Sequence, residues 1–454
     1  MTRLKLELNI ARRRDLPVVH SLTFKQKPFW LDTVEIPAGE SSRPLPERVD
    51  VAIIGAGFTG LSAARVLAKR GANVAVLESE TIGWGASSRN GGMVLTGLKL
   101  SPDVLLQRYG REATQRMFAA SLASIDCVEQ IVREEKIACD FSRSGHLEVA
   151  WKPSHFAHQQ KAAVVMEREF GHRVEIVPKR ELRRREIGSD LFHGGIVDIL
   201  SAGVNPARYV AGLAQGAQRA GAAVYEHTRV EKIERIDQEG KKRFRLHTSR
   251  GAIVACEAFA ATSGYTGPAT PALQKKIIPI GSFIIVTEPL SEEMARQASP
   301  RNRMIYDSKN FLYYFRLTPD RRMLFGGRAA FFPETSSTIR RSAGILRRGM
   351  VKTYPYLRDA KIEYAWGGTL DFAFDILPHA GQLDGMYYAL GYAGHGVAMA
   401  TYLGMKMGEL IAGGRDENPF AGLPFPGAPL GLYNGKPWFL PFAGAWYKFL
   451  DWFS

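Results

Sequence analysis

Cysteine is scarce in this chain. Cys127, Cys139 and Cys256 are the only three among 454 residues. They show neither metal-ligand spacing nor a disulfide framework, so no metal site is expected and a reducing cytoplasm is the simplest setting. Long apolar runs are also missing. The best stretch, Gly396 to Gly413, is interrupted by Lys406 and Glu409, which excludes it as a bilayer span. The first residues carry charge with no apolar segment of signal-peptide length behind them, so no export signal is expected. Acidic residues are outnumbered, 45 Asp and Glu against 60 Lys and Arg, leaving a formal charge of +15 that invites anionic partners. The basic residues fall in short clusters, Arg12-Arg13-Arg14, Arg183-Arg184-Arg185 and Lys241-Lys242-Arg243. That pattern suits solvated faces, and no aromatic-basic module for RNA accompanies it, so nucleic acid is not an expected partner.

Glycine is plentiful, and its placement is informative. Val51-Ala52-Ile53-Ile54 is an apolar run without alternation, as in a strand buried on both faces. Gly55-Ala56-Gly57-Phe58-Thr59-Gly60 follows at once, and Leu61 to Arg70 then has helical spacing up to Gly71. Such glycines allow a tight turn, close approach of backbone to a pyrophosphate, and tight packing of helix on strand. The helix N-terminus would favour the anion. The next run, Asn73 to Leu77, ends at Glu78, placed to accept hydrogen bonds from an adenosine ribose and to repel a 2′-phosphate. This unit reads as a dinucleotide site and does not separate NAD from FAD.

At this length two interlocked domains are expected. Residues 1–47 form a proline-dotted arm whose apolar knot, Phe29-Trp30-Leu31, packs on the body. The stretch Ile82 to Gly92 is too rich in small residues for helix or pleated strand, and suits backbone approaching a large flat ligand. Leu105 to Glu135 is helical, and Gly145 to Ala150 is a strand in which His146, like His193, reads as structural. Asn205-Pro206 opens another helix. Ala222 to Val230 and Ala258 to Thr262 are strands that resume the opening pattern, so the nucleotide domain is discontinuous. Ile277 to Thr287, Phe311 to Leu317 and Met323 to Gly327 form an antiparallel sheet walling a substrate pocket. Ile339 to Tyr354 is a basic helix. The fold class is thus α/β: a discontinuous Rossmann-like cofactor domain (48–140, 193–268, 363–415) with an inserted antiparallel-sheet substrate domain (141–192, 269–362) and an aromatic tail (416–454).

A second glycine turn lies late, in Leu390-Gly391-Tyr392-Ala393-Gly394-His395-Gly396-Val397. One such turn serves a dinucleotide's phosphates; two, early and late, suit an extended FAD. A helix starting at His395 would aim its N-terminus at the flavin. His395 is a candidate for hydrogen bonding or charge beside that ring, or else a structural turn residue. On the pocket sheet Arg328 and Arg316 are candidates to hold a substrate carboxylate. Tyr313 and Tyr314 alternate, so only one, taken as Tyr314, faces the pocket.

These motifs, with Gly83-Trp84-Gly85-Ala86-Ser87-Ser88-Arg89-Asn90-Gly91-Gly92, Thr287-Glu288-Pro289-Leu290 and Gly326-Gly327, resemble the FAD-dependent oxidoreductases of the D-amino acid oxidase superfamily. The nearest look is that of the gamma-glutamylputrescine oxidoreductase type, from about Asp32 onward. The resemblance implies a non-covalent FAD, since no cysteine precedes the late turn in Leu370 to Pro378. It makes Ser88 a cofactor residue and places Arg89 to Gly92 beside the flavin, Gly394 to Val397 near its pyrimidine end, and Val230, Thr262 and Gly264 on the adenosine and pyrophosphate side. Relatives that react with oxygen carry a lysine in a strand corresponding to Arg322–Arg328, where this chain has none. The electron acceptor is therefore left open between oxygen and a quinone. The expected activity is hydride transfer from a C–N bond of a small amine or amino acid derivative, such as a gamma-glutamylated polyamine. The alternatives are a quinone-linked dehydrogenase of D-amino or N-methyl amino acids at the membrane surface, and an RNA-binding or RNA-modifying flavoprotein. The tail, with Trp438, Trp446, Trp452, Phe439, Phe442, Phe449 and Phe453, either clasps its own protein or touches a membrane.

Overall fold

The computed structural model describes residues 23–238, 240–327, 334–415, 417–440 and 442. Its first layer grows from the opening unit. Strand β1 (Arg48–Ile54), helix α1 (Phe58–Lys69) and strand β2 (Val74–Leu77) form a crossover of the kind parallel sheets require. β1 lies between β2 and the strand Gly251–Ala260, parallel to both, with Ile53 opposite Val76 and Phe259. All four residues from Val51 to Ile54 are buried, which explains the absence of alternation. The sheet continues to Ala223–Tyr225 beyond β2, and to Met386–Leu390 and His379–Leu383 on the other side. An antiparallel hairpin, Val230–Gln238 with Lys241–Thr248, is added along Gly251–Ala260. The expected strand over Ala222 to Val230 is shorter than its composition suggests: it stops at Tyr225, and His227 turns at φ +54°.

The second layer is an eight-stranded sheet. In order it runs Ile362–Ala373, Ile277–Pro289, Arg322–Gly327, Tyr313–Leu317, Met304–Asp307, His146–Val149, Gly194–Asp198 and Glu175–Pro178. Every neighbouring pair is antiparallel except Met304–Asp307 with His146–Val149. Alternation sorts its two faces. Leu147, Val149, Phe283, Ile285, Phe315 and Phe325 pack under the helix Ser336–Thr353 through Ile339, Ala343, Leu346 and Met350. Their sequence neighbours face the first layer. Two expected segment boundaries shift as a result. Gly194–Asp198, which falls in the expected cofactor segment 193–268, and Ile362–Ala373, which falls in 363–415 from its second residue on, are hydrogen bonded into the second sheet. Strand partners are a tertiary choice, and neither strand announces its partner in its composition.

The long helix Pro102–Glu134 kinks at Gly110 and buries Phe118, Ile125, Val128 and Ile131. The late helix Gly396–Ile411 lies directly on α1: a Cβ at Gly404 would sit 2.2 Å from the Thr59 carbonyl oxygen. The arm does pack on the body, since Phe29 and Trp30 are buried among Ile284, Leu324, Tyr364 and Trp366 at the seam between the sheets. In the tail, Tyr433 donates its hydroxyl to the Ile277 carbonyl (2.8 Å) and Leu440 is buried against Ile280 and Phe372, while Trp438 and Phe442 are exposed. Trp446, Phe449, Trp452, Phe453, Arg12 to Arg14 and Arg328 lie outside the described residues. Among the described residues no helix is long and apolar enough to cross a membrane.

Candidate active site

The first glycine turn opens a cavity of about 610 Å³. Gly55 takes φ +105°, and a Cβ there would meet the Ala261 carbonyl oxygen at 2.7 Å. Gly60 faces the strand rather than the cavity: a Cβ would come within 2.0 Å of the Gly55 carbonyl oxygen, so only glycine lets α1 lie this close to β1. The Phe58 N–H donates to Ser87 Oγ (3.0 Å), which ties the helix start to the second glycine-rich stretch. Glu78 stands at the end of β2, accepting from the Ala56 N–H (2.8 Å) and the Glu80 N–H (3.0 Å). Burial pushes its pKa up, and these backbone donors counter it. A carboxylate has about four acceptor sites, so Glu78 retains capacity toward the cavity it lines.

The stretch Ala86–Arg89, expected to be irregular, winds into a single helical turn. The loop after it is held from outside. Trp366 Nε1 donates to the Arg89 carbonyl and Trp30 Nε1 to the Asn90 carbonyl, both at 2.9 Å. The Gly92 N–H donates to Asn90 Oδ1 (2.7 Å), and Gly92 takes φ +69° with the Val204 carbonyl oxygen 2.2 Å from where a Cβ would sit. The Arg89 guanidinium is engaged by the Trp84 and Gly367 carbonyls and by Glu334.

The late turn meets the early one. Tyr392 Oη lies 2.7 Å from Thr59 Oγ1, and the Gly391 N–H donates to Asp371 Oδ2 (2.7 Å). Gly394 takes φ +96°, and a Cβ there would meet nothing within 4 Å among the described residues. His395 caps the late helix without a side-chain capping bond, and its Nδ1 is buried with no partner among the described residues. Burial first, and then the charge of Lys99, depress its pKa to about 3. The imidazole is therefore neutral, and of the two roles expected for His395, charge is removed while hydrogen bonding remains.

A second cavity of about 370 Å³ adjoins the first, sharing Ala86, Asn90, Thr369, Leu370, Gly394 and Val397. Its wall is the inward face of the second sheet, where alternation brings together His146, Glu148, Ile196, Asp198, Ser282, Tyr306 and Tyr314. Tyr314 does face the cavity, and burial raises its pKa to about 12, whereas Tyr313 packs against Phe325 on the opposite side. Arg316 does not serve as expected. Its guanidinium is buried away from both cavities and donates to the carbonyls of Gly92 (2.9 Å), Val204 (3.0 Å) and Leu317 (3.3 Å), so it braces the loop instead of meeting a substrate.

Of the expected cofactor residues, Gly55, Gly57, Phe58, Thr59, Glu78, Asn90, Val230, Thr262, Gly394, Gly396 and Val397 line the larger cavity, and Arg89, Gly91 and His395 line the smaller. Gly60, Ser88, Gly92 and Gly264 line neither. Ser88 is fully buried, and Gly264 packs on Thr369 and Leu370. Sequence reasoning missed Lys99, Glu148, Tyr306, Tyr265, Asp371 and Tyr392. The signal for Glu148 was the polar residue alternating with Leu147 and Val149. Among the described residues no group of His, Cys, Asp and Glu could hold a metal ion.

The pair of cavities fits an extended dinucleotide. The larger has a helix N-terminus at each glycine turn, and at the junction lie the left-handed Gly394 and a buried His395 nitrogen without a partner among the described residues, as a bound group there would require.

Comparison with known proteins agrees. The chain is 31% identical to the probable oxidoreductase OrdL of Haemophilus influenzae, over 89% of this chain and 92% of that protein. It is 32% identical to the gamma-glutamylputrescine oxidoreductase of Escherichia coli, over 83% of this chain and 88% of that one. The solved glycine oxidase of Geobacillus kaustophilus superposes with a TM-score of 0.69 at 21% identity, covering 84% of this chain and 99% of that chain. The L-proline dehydrogenase of P. horikoshii gives 0.66 at 21% identity, over 83% and 98%. FAD is the cofactor. The family profile described as FAD dependent oxidoreductase (DAO) matches residues 50–410, and the chain belongs to that family.

Proposed function

We propose that the protein oxidises a C–N bond of a small amine, the gamma-glutamylputrescine oxidoreductase relative making a gamma-glutamylated polyamine the first compound to try. The observation that carries this reading is the junction at Gly394 and His395, where the cofactor cavity opens into a mainly apolar second cavity. Gly55, Gly57, Thr59, Glu78, Val230 and Thr262 would hold the adenosine and pyrophosphate portion without a covalent link. Arg89 to Gly91 and Gly394 to Val397 would lie along the flavin portion. Bound FAD supplies the two-electron acceptor for hydride from the carbon bearing nitrogen, and water then hydrolyses the released imine to a carbonyl compound and an amine. The apolar lining favours the uncharged form of the amine to be oxidised, since burying an unpaired cation there is costly. His395, held neutral, offers a hydrogen bond at the junction, and the dipole of the helix Gly396–Ile411 favours negative charge in front of it.

Among the described residues the second cavity offers no guanidinium except that of Arg89, which is already engaged. Lys99 adds an ammonium to the same lining. A quinone acceptor is the second reading, favoured by Trp438 and Phe442 at 62% and 72% exposure in the tail. Anaerobic titration of the purified yellow protein with gamma-glutamylputrescine, sarcosine, glycine and D-amino acids tests the reading. Bleaching by NADH alone would reject it. Readmission of air, then of a quinone, identifies the acceptor.

A further inference from the structure

On the cavity face of the second sheet, Glu148, Tyr306 and Tyr314 stand in one row: Glu148 pairs with Tyr306 across one strand boundary and Tyr306 with Tyr314 across the next. Two strand spacings put Glu148 about 10 Å from Tyr314. Tyr314 marks the cofactor end, because a Cβ on Gly91 would lie 3.0 Å from its ring. The wall holds two acids, in different states. Asp198 is spent: its carboxylate accepts from Thr96 Oγ1 (2.6 Å), His172 Nε2 (2.7 Å) and the Leu200 N–H (3.0 Å). The side-chain partners of Glu148 are Gln159 and Tyr306, two bonds for a group with about four acceptor sites; burial pushes its pKa up, and these bonds together with the charges of Lys99 and His158 on the same lining counter it. Leu95, Leu98, Met166, Phe170 and Ile196 supply apolar lining to the same cavity.

Resting on the amine-oxidation reading, we propose that Glu148 anchors a protonated nitrogen at the substrate's far end, so that the substrate is a diamine whose methylene spacer lies along the apolar lining. The 10 Å row, less one hydrogen-bond length, leaves about 7 Å between the anchored nitrogen and the reacting end, the reach of a short methylene chain. A cation in an apolar cavity needs such a partner, and a carboxylate with free acceptor sites supplies it.

The test compares kcat/KM of the holoenzyme for 1,4-diaminobutane and for butylamine, in the wild type and in Glu148→Gln. The wild type should prefer the diamine at least tenfold. Glu148→Gln should lower that preference by about 10- to 100-fold, the worth of one hydrogen bond to a charged group, through KM more than kcat. The wild-type ratio reads the proposal even if the variant fails to load flavin. A wild-type ratio near one, or an unchanged ratio in a flavin-loaded Glu148→Gln, overturns it. Flavin reduction by sarcosine but by neither probe overturns the anchor alone, while reduction by no amine at all removes the underlying reading as well.

Discussion

Replacing Arg316 separates two accounts of the same side chain. If it held a substrate carboxylate, Arg316→Ala would raise KM by 10-fold or more with little effect on stability. The structure gives it a different task, joining the Gly92 carbonyl, the Val204 carbonyl and its own strand at Leu317. Truncation takes from the Val204 carbonyl its Arg316 donor, at a cost of about 1–3 kcal/mol, and adds a cavity, while the Gly92 carbonyl keeps the Val204 N–H (2.9 Å). Against this, removing a buried cation recovers desolvation energy, and burial already pulls the Arg316 pKa down to about 10. The net loss should be about 2–4 kcal/mol. Arg316→Met, which fills the volume, should cost about 1–2 kcal/mol. Thermal melts of the flavin-loaded protein should therefore show both variants lowered, Ala more than Met, by a few degrees at this chain length. KM of the fraction that retains flavin should stay within about threefold of wild type. A KM raised tenfold or more with an unmoved melting temperature would refute the brace and restore the carboxylate role.

Other consequences can be measured alongside. Gly60→Ala should cost about 3 kcal/mol or more and weaken FAD retention, because a Cβ 2.0 Å from the Gly55 carbonyl forces α1 off β1; soluble yield and a melt of the apoprotein read this. Gly396→Ala is the contrast, since its Cβ would meet Tyr392 at an ordinary 3.6 Å; the apoprotein melt should be unchanged, and any loss should appear as weaker flavin binding in a titration. Acid should destabilise the protein between about pH 6.5 and pH 4. Burial holds His395 at about 3 and His146 at about 4, so the unfolded chain binds more protons in that window and each histidine contributes a slope of up to about 1.4 kcal/mol per pH unit. His146→Asn should flatten the acid limb in melts taken across that range, and an unaltered limb would argue against the shift. Trp30→Phe and Trp366→Phe should each free one carbonyl of the Arg89–Asn90 loop, costing about 1–2 kcal/mol and altering the visible flavin spectrum.

The opening unit was legible in sequence because its signals are local. A run without alternation, glycines at fixed offsets, helical spacing and a terminal acid each constrain the next few residues, and the structure places them as one crossover with Glu78 on the cavity. The late turn was equally local, and its relation to the first, Tyr392 against Thr59, follows from the cofactor both would serve. The substrate wall was different. Alternation told which residues of a strand share a face, but not which strand lies beside it, so the pairing of Gly194–Asp198 and Ile362–Ala373 into the second sheet could not be read from their composition. Arg316 and Tyr314 share one face of one strand, yet one reaches back to loop carbonyls and the other lines the cavity, a distinction made by where Gly92 and Val204 happen to lie. Glu148, Tyr306 and Lys99 come from three separate parts of the chain and meet only once the sheet is assembled. Sequence by itself determined the cofactor crevice, where backbone geometry over a few residues does the binding. Tertiary structure alone decided the substrate cavity, where long-range strand pairing chooses which side chains face one another.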